Sequence, residues 1–131
     1  MKAQVVINEI CATNADIIKD GQYLNFSPWI ELFNTSSSPT NIGGFFVSND
    51  INNKSKWTIP AGTTIPANGY LLIWCDEKSN GLHTNFSLRV KGEKIILSSA
   101  SQQHVDTVTY PNQYTNISYG RTTNGAASKT Y

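Results

Sequence analysis

Residues 57–76, WTIPAGTTIPANGYLLIWCD, constrain the fold of this chain more than any other stretch. A short strand-like run stops at Pro60, because proline lacks the amide proton that a sheet ladder needs. Gly62, Pro66 and the Asn68-Gly69 dipeptide then turn the chain twice. Residues 70–75 follow as a near-continuous apolar run, the pattern of a central strand covered on both faces. No helix fits a segment punctuated this often. The same alternation of short apolar runs and turn residues recurs along the chain, which reads as all-β.

Period-two patterning marks further strands. Residues 5–10 (VVINEI) alternate, with Val6 and Ile10 on one face and Val5, Ile7 and Glu9 on the other. An edge position, or late pairing, is expected for this run. In residues 29–34 (WIELFN), Ile30 and Leu32 oppose Trp29, Glu31 and Phe33. Residues 45–48, 95–97, 104–110 and 117–121 complete the clearest set. Residues 83–88 read as a strand or an ordered loop, and residues 15–19 as a single helical turn. About eight to nine short strands separated by turns argue for a sandwich or barrel. The segment from Thr122, rich in Thr, Gly, Ala and Ser, reads as a flexible tail or linker start beyond a domain of residues 1–121.

Composition narrows the function. Only 15% of residues are charged and the formal net charge is +1, so the basic footprint of a dedicated nucleic-acid binder is lacking. One local run, Arg89, Lys91 and Lys94, is the weaker alternative for such a role. Cys11 and Cys75 have no metal-binding spacing and read as buried thiols, although a bridge between them stays open. No apolar run approaches the roughly 20 residues of a membrane span. No export signal is visible, and the chain reads as a domain excised from a longer protein.

Taken in order, VVINEI, WIELFN, IGGFFVSND, WTIPAGTTIPANGYLLIWCD, GLHTNF, GEKIILSS, VDTVTYPNQY and ISYGR span residues 5–121, within a likeness that runs from about Ala3 to Arg121. This series resembles the bacterial branch of the lamin tail domain family. The resemblance implies an immunoglobulin-like β-sandwich. It also implies a module placed beside other domains in large exported proteins, and hence an extracytoplasmic location. In nuclear lamins the similar domain is an interaction module. The DNA and protein partners proposed there do not carry over to a chain that lacks heptads and is nearly neutral.

Glu9, Glu31, Asp50 and Asp76 bring oxygen ligands that would suit Ca²⁺, yet no compact acidic loop gathers them, and ion-pair or backbone-capping roles are expected. Cys75 with His83 or His104 and Asp106 can be drawn as a nucleophilic set. A thiol in an apolar strand is inert, however, so no catalytic residue, metal or cofactor is assigned. His83 is expected to orient its loop and His104 to be solvated. Trp57, Tyr70 and Trp74 are expected in the core. Tyr110, Tyr114 and Tyr119 (with Tyr23 less defined) would form a polar-aromatic surface. Asn-Xaa-Ser/Thr sequons at Asn34, Asn53, Asn85 and Asn116 are explained by composition. The expected role is a non-catalytic interaction or spacer module, whose partners are neighbouring domains or another protein. The alternative is a carbohydrate-binding module using loop aromatics, with Ca²⁺ assisting.

Overall fold

The computed structural model describes residues 4–15, 18–21, 26–126 and 128–131. Eleven strands appear among them: β1 (Val5–Cys11), β2 (Trp29–Asn34), β3 (Thr40–Asn41), β4 (Phe46–Ser48), β5 (Trp57–Thr58), β6 (Thr64–Ile65), β7 (Tyr70–Trp74), β8 (Glu93–Ser98), β9 (His104–Tyr110), β10 (Tyr119–Arg121) and β11 (Lys129–Thr130). They form a five-stranded sheet in the order β11-β10-β1-β2-β7, a four-stranded sheet in the order β5-β4-β8-β9, and the small pair β3-β6. Every pairing between these strands is antiparallel. Of the helical turn expected at residues 15–19, residues 16–17 lie outside the described residues, as does Tyr23, and residues 15, 18 and 19 carry no helix.

Residues 57–76 act as the seam of the sandwich. β5 pairs with β4 in the four-stranded sheet, β6 with β3, and β7 with β2 in the five-stranded sheet. Pro60 and Pro66 separate three short runs that belong to three different sheets. Asn68 takes a left-handed conformation (φ 53°), which asparagine tolerates better than most residues. The core lies between the two larger sheets. Ile7, Ile10, Ile30, Leu32 and Ile73 from one meet Val47, Ile95, Leu97 and Val108 from the other.

Two strand positions differ from expectation. β1 is central and β7 is an edge. The face assignment of β1 also changes, because a bulge at Asn8 interrupts its register: Ile7 opposes Leu32 while Glu9 opposes Glu31. The extra residue brings Val5, Ile7 and Ile10 together into the core. Asn8 itself is held on both sides. Its amide donates to Glu31 Oε1 at 2.8 Å and to Asn124 Oδ1 at 3.1 Å, and its carbonyl oxygen accepts from Gly125 N at 3.1 Å.

The end of the chain also differs. Expected as a tail, it crosses the five-stranded sheet at Asn124 and Gly125 and adds β11 beside β10, with Gly120 opposite Thr130 and Arg121 opposite Lys129. Residues 83–88 form an ordered loop with two isolated bridges, Trp74 to His83 and Asp76 to Ser87. Trp57 and Trp74 are buried as expected, but Tyr70 is 49% exposed because it sits at the start of the edge strand.

Candidate functional sites

The aromatic surface is built by the turn after β9. Asn116 adopts a left-handed conformation (φ 60°) and lets Tyr114 and Ile117 bridge each other. The turn is pinned to the end of β1. Asn116 N donates to Thr13 O at 2.7 Å, Ala15 N donates to Asn116 Oδ1 at 2.7 Å, and the Thr13 hydroxyl donates to Tyr114 O at 2.6 Å. Tyr114, Ile117 and Tyr131 are all exposed. The Tyr131 ring stands edge-on to both Tyr114 (5.4 Å between centroids) and Tyr119 (5.6 Å), the geometry that aromatic quadrupoles favour. Beside this cluster lies a polar hollow of about 280 Å³ lined by Glu9, Ser118, Asn124 and Tyr131 among others. Ser118 donates its hydroxyl to Glu9 Oε1.

Of the predicted aromatic set, Tyr114 and Tyr119 therefore share a surface and Tyr110 does not. Tyr110 is 1% exposed. Its hydroxyl donates to Arg89 O at 2.8 Å and Glu93 Oε2 at 3.1 Å. Burial, reinforced by the Glu93 carboxylate, pushes this phenol well above its usual range. Period two in β9 places Tyr110 on the same buried face as Val108. Tyr131 was missed because its partners lie far away in sequence.

The basic run does not form one patch. Arg89 and Lys91 occupy the turn before β8, closed by Gly92 N donating to Arg89 O at 3.2 Å. Arg89 Nε lies 3.9 Å from Glu93 Oε1 while its side chain remains largely in solvent. Lys94 instead lines a hollow on the four-stranded sheet with Lys54 and His104.

The four acids also separate. Glu9 and Glu31 stand opposite each other on β1 and β2. Glu31 is pushed above the ordinary carboxylate value by partial burial, with Asn8 opposing and Glu9 reinforcing the shift. Asp50 Oδ1 accepts from Asn52 N at 2.9 Å, a local turn. Asp76 Oδ2 lies 2.7 Å from His83 Nδ1, and His83 Nε2 lies 3.7 Å from Asp20 Oδ1.

This Asp20–Asp76–His83 group is the one set among the described residues with metal-ligand types gathered, its donor atoms lying within 4.8 Å of one another. The 2.7 Å contact is a hydrogen bond, and the buried imidazole ties the segment around Asp20 to the end of β7. Asp76 and His83 stood out in the sequence, whereas Asp20 did not, since no spacing rule joins it to them.

The residues of the drawn nucleophilic set act in separate contacts. His104 Nε2 lies 2.7 Å from Thr107 Oγ1. Asp106 Oδ2 accepts from Arg121 Nη2 and Ile7 N, both at 2.8 Å. Cys75 is fully buried, and that burial pushes its thiol far above the ordinary value. Cys11 is likewise a buried free thiol, raised by burial.

Two antiparallel sheets facing across one core, with β1 and β2 knitting the larger sheet, define an immunoglobulin-like β-sandwich domain. The family model of the lamin tail domain matches residues 1–112, and the chain belongs to that family. Comparison with curated proteins gives no match. No helix of the described residues is long and apolar enough to cross a membrane.

Proposed function

We propose that this domain is a non-catalytic accessory module that docks protein segments or spaces neighbouring domains within a larger exported bacterial protein. Membership of the lamin tail domain family supports an interaction role. The observation that carries the reading is the cluster in which the exposed Tyr114, Ile117 and Tyr131 join the half-buried Tyr119, beside a turn braced by the residues after β1. Large amphipathic rings held by a rigid scaffold are what protein interfaces use as anchors.

A second reading, carbohydrate binding, is favoured by the hollow beside that cluster. Hydroxyl, amide and carboxylate groups of Ser118, Asn124 and Glu9 lie next to the Tyr131 ring, and sugars take such mixtures of hydrogen bonds and aromatic faces. The nucleic-acid reading gains no support from Arg89, Lys91 and Lys94, which divide between two surfaces.

A thermal-shift titration separates the readings, because a ligand that binds only the native state must raise the melting temperature. A protein-docking module is expected to show no dose-dependent shift with Ca²⁺, neutral oligosaccharides or short duplex DNA. A saturable shift with an oligosaccharide, lost in Tyr114→Ala and Tyr131→Ala, would replace the first reading by the second.

A further inference from the structure

We infer that the hollow on the outer side of the four-stranded sheet receives an acidic side chain of a peptide, one carboxylate carried on an aliphatic stem. This inference rests on the protein-docking reading and names a partner chemistry for it. The hollow measures about 140 Å³. A hollow of this size, open to solvent, seats one side chain of a larger partner.

Its walls are one-sided in charge. Lys54 comes from the loop after β4, Lys94 from β8 and His104 from the start of β9, and among the described residues no Asp or Glu lines the space. Lys54, Lys94 and His104 are all exposed, and among the described residues neither lysine has a carboxylate within ion-pair distance. The chain has nine acidic residues and is nearly neutral, yet none of those among the described residues lines the hollow. Glu93 turns to Arg89 and Asp106 to Arg121. Two lysine ammoniums from separate elements, with an imidazole beside them and no carboxylate of the described residues opposing, create a local positive potential that attracts an anion.

The remaining surface selects what carries that anion. Ile96 is a buried floor and Ile51, 60% exposed, is an apolar rim. An inorganic oxyanion gains nothing from them. The methylene stem of a glutamate, or an apolar neighbour in a peptide, covers them. Gln102 at the lip holds a left-handed conformation (φ 64°) that long side chains adopt rarely. It is fixed there by the turn in which Gln102 N donates to Ser99 O at 2.8 Å. A short contact of this size belongs to the weak, transient class of interactions.

The test is a ¹H–¹⁵N NMR titration of the domain at low salt with a capped hexapeptide alternating Glu and Leu. Its Gln/Leu analogue and sodium sulfate serve as comparison arms. The expected result is saturable shifts at the amides of Ile51, Lys54, Lys94, Gln102 and His104 with the Glu/Leu peptide alone. Raising the salt several-fold should weaken them, as screening requires. In the double variant Lys54→Glu/Lys94→Glu the affinity should fall at least tenfold. Both sites are exposed, so the dispersed spectrum of the folded protein should persist, and Lys94→Gln gives a milder check.

Absence of saturation would overturn the proposal. So would shifts as large at Arg89 and Lys91, the mark of diffuse electrostatics. Equal occupancy by sulfate would leave an oxyanion site and overturn the peptide assignment. None of these readouts involves Tyr114 or Tyr131, so a failure here is distinguishable from a failure of the docking reading.

Discussion

β1 and β7 invert the usual relation between a strand's apolarity and its place in a sheet. β7 is apolar almost throughout and lies at the edge of the five-stranded sheet, whereas β1, with Asn8 and Glu9 in its middle, lies at the centre. Each face of β7 has its own cover. Ile73 enters the main core, and Leu72 and Trp74 pack on the opposite face with Cys11, Trp29 and Ile18. An apolar run therefore reports that both faces are covered and says nothing of whether both edges are paired. The polar residues of β1 are affordable because each has a partner. Asn8 sits in the bulge and bonds three groups, and Glu9 accepts from Ser118.

If coverage rather than ladder position determines the energy, truncating the two strands at matched core positions should cost the same. Ile10 on β1 and Ile73 on β7 are both 0% exposed. Ile10→Ala and Ile73→Ala should each lose about 3–4 kcal/mol, within the usual range for emptying a packed isoleucine site. Urea denaturation at constant m-value measures both. A loss at Ile73 less than half that at Ile10 would break the comparison in favour of ladder position.

The next effect concerns the bare side of β1. β10 pairs only with its Glu9–Ile10 part, and side chains complete the rest. Arg121 Nε donates to Ile7 O at 3.0 Å, Arg121 Nη2 donates to Asp106 Oδ2, and Asp106 accepts from Ile7 N. One ion pair thus replaces a missing strand partner and joins the two sheets. Both side chains are largely buried, at 7% and 17% exposure. Arg121→Ala leaves the Asp106 carboxylate without its cation and should cost about 3 kcal/mol. Arg121→Met with Asp106→Leu should recover part of this. A loss below about 1 kcal/mol for Arg121→Ala would mean that water replaces the guanidinium readily, and the central position of β1 would owe little to the pair.

These two contrasts also show what was legible in the residues. The all-β class, the sandwich, β2 with its two faces and the burial of Trp57 and Trp74 follow from local period and turn chemistry. Strand order does not, because it depends on partners far away: Ile7 meets Asp106, and Asn8 meets Asn124 and Gly125. The bulge at Asn8 shifts the face of half a strand without any local mark except a polar residue. The surfaces follow the same rule. Exposure of Tyr114 was readable in its loop, but its pairing with Tyr131 needed β11. Lys94 separates from Arg89 because the turn at Gly92 intervenes and β8 then directs alternate residues to opposite faces.

A smaller effect is expected at the exposed start of β7. Tyr70 packs its ring on Phe33 at 5.2 Å between centroids and accepts from the Asn124 amide. Tyr70→Ala should lose about 1 kcal/mol, the scale of one aromatic pair. A loss approaching that of Ile73→Ala would show that the end segment clamps the edge strand more strongly than its exposure implies.

The smallest effect sharpens the account of the polar residues on β1. Glu31 stands opposite Glu9, and partial burial is the main cause that raises its folded-state pKa above the ordinary value of 4.5, with Glu9 adding to it and Asn8 opposing it. A carboxyl raised in the folded state binds its proton more tightly there than in the unfolded chain. Its stabilising contribution is complete below the unfolded value and is lost as pH rises through the folded one. At pH 7 the ionised group therefore works against folding. Glu31→Gln keeps an acceptor for the Asn8 amide and removes the charge. Its melting temperature should exceed that of the parent at pH 7, and the difference should close as pH falls towards 4, where the parent's carboxyl is itself protonated. A lower melting temperature for Glu31→Gln at pH 7 would show that the Asn8 bond to a charged oxygen outweighs burial. The polar centre of β1 would then stabilise the sheet through that charge and not merely tolerate it.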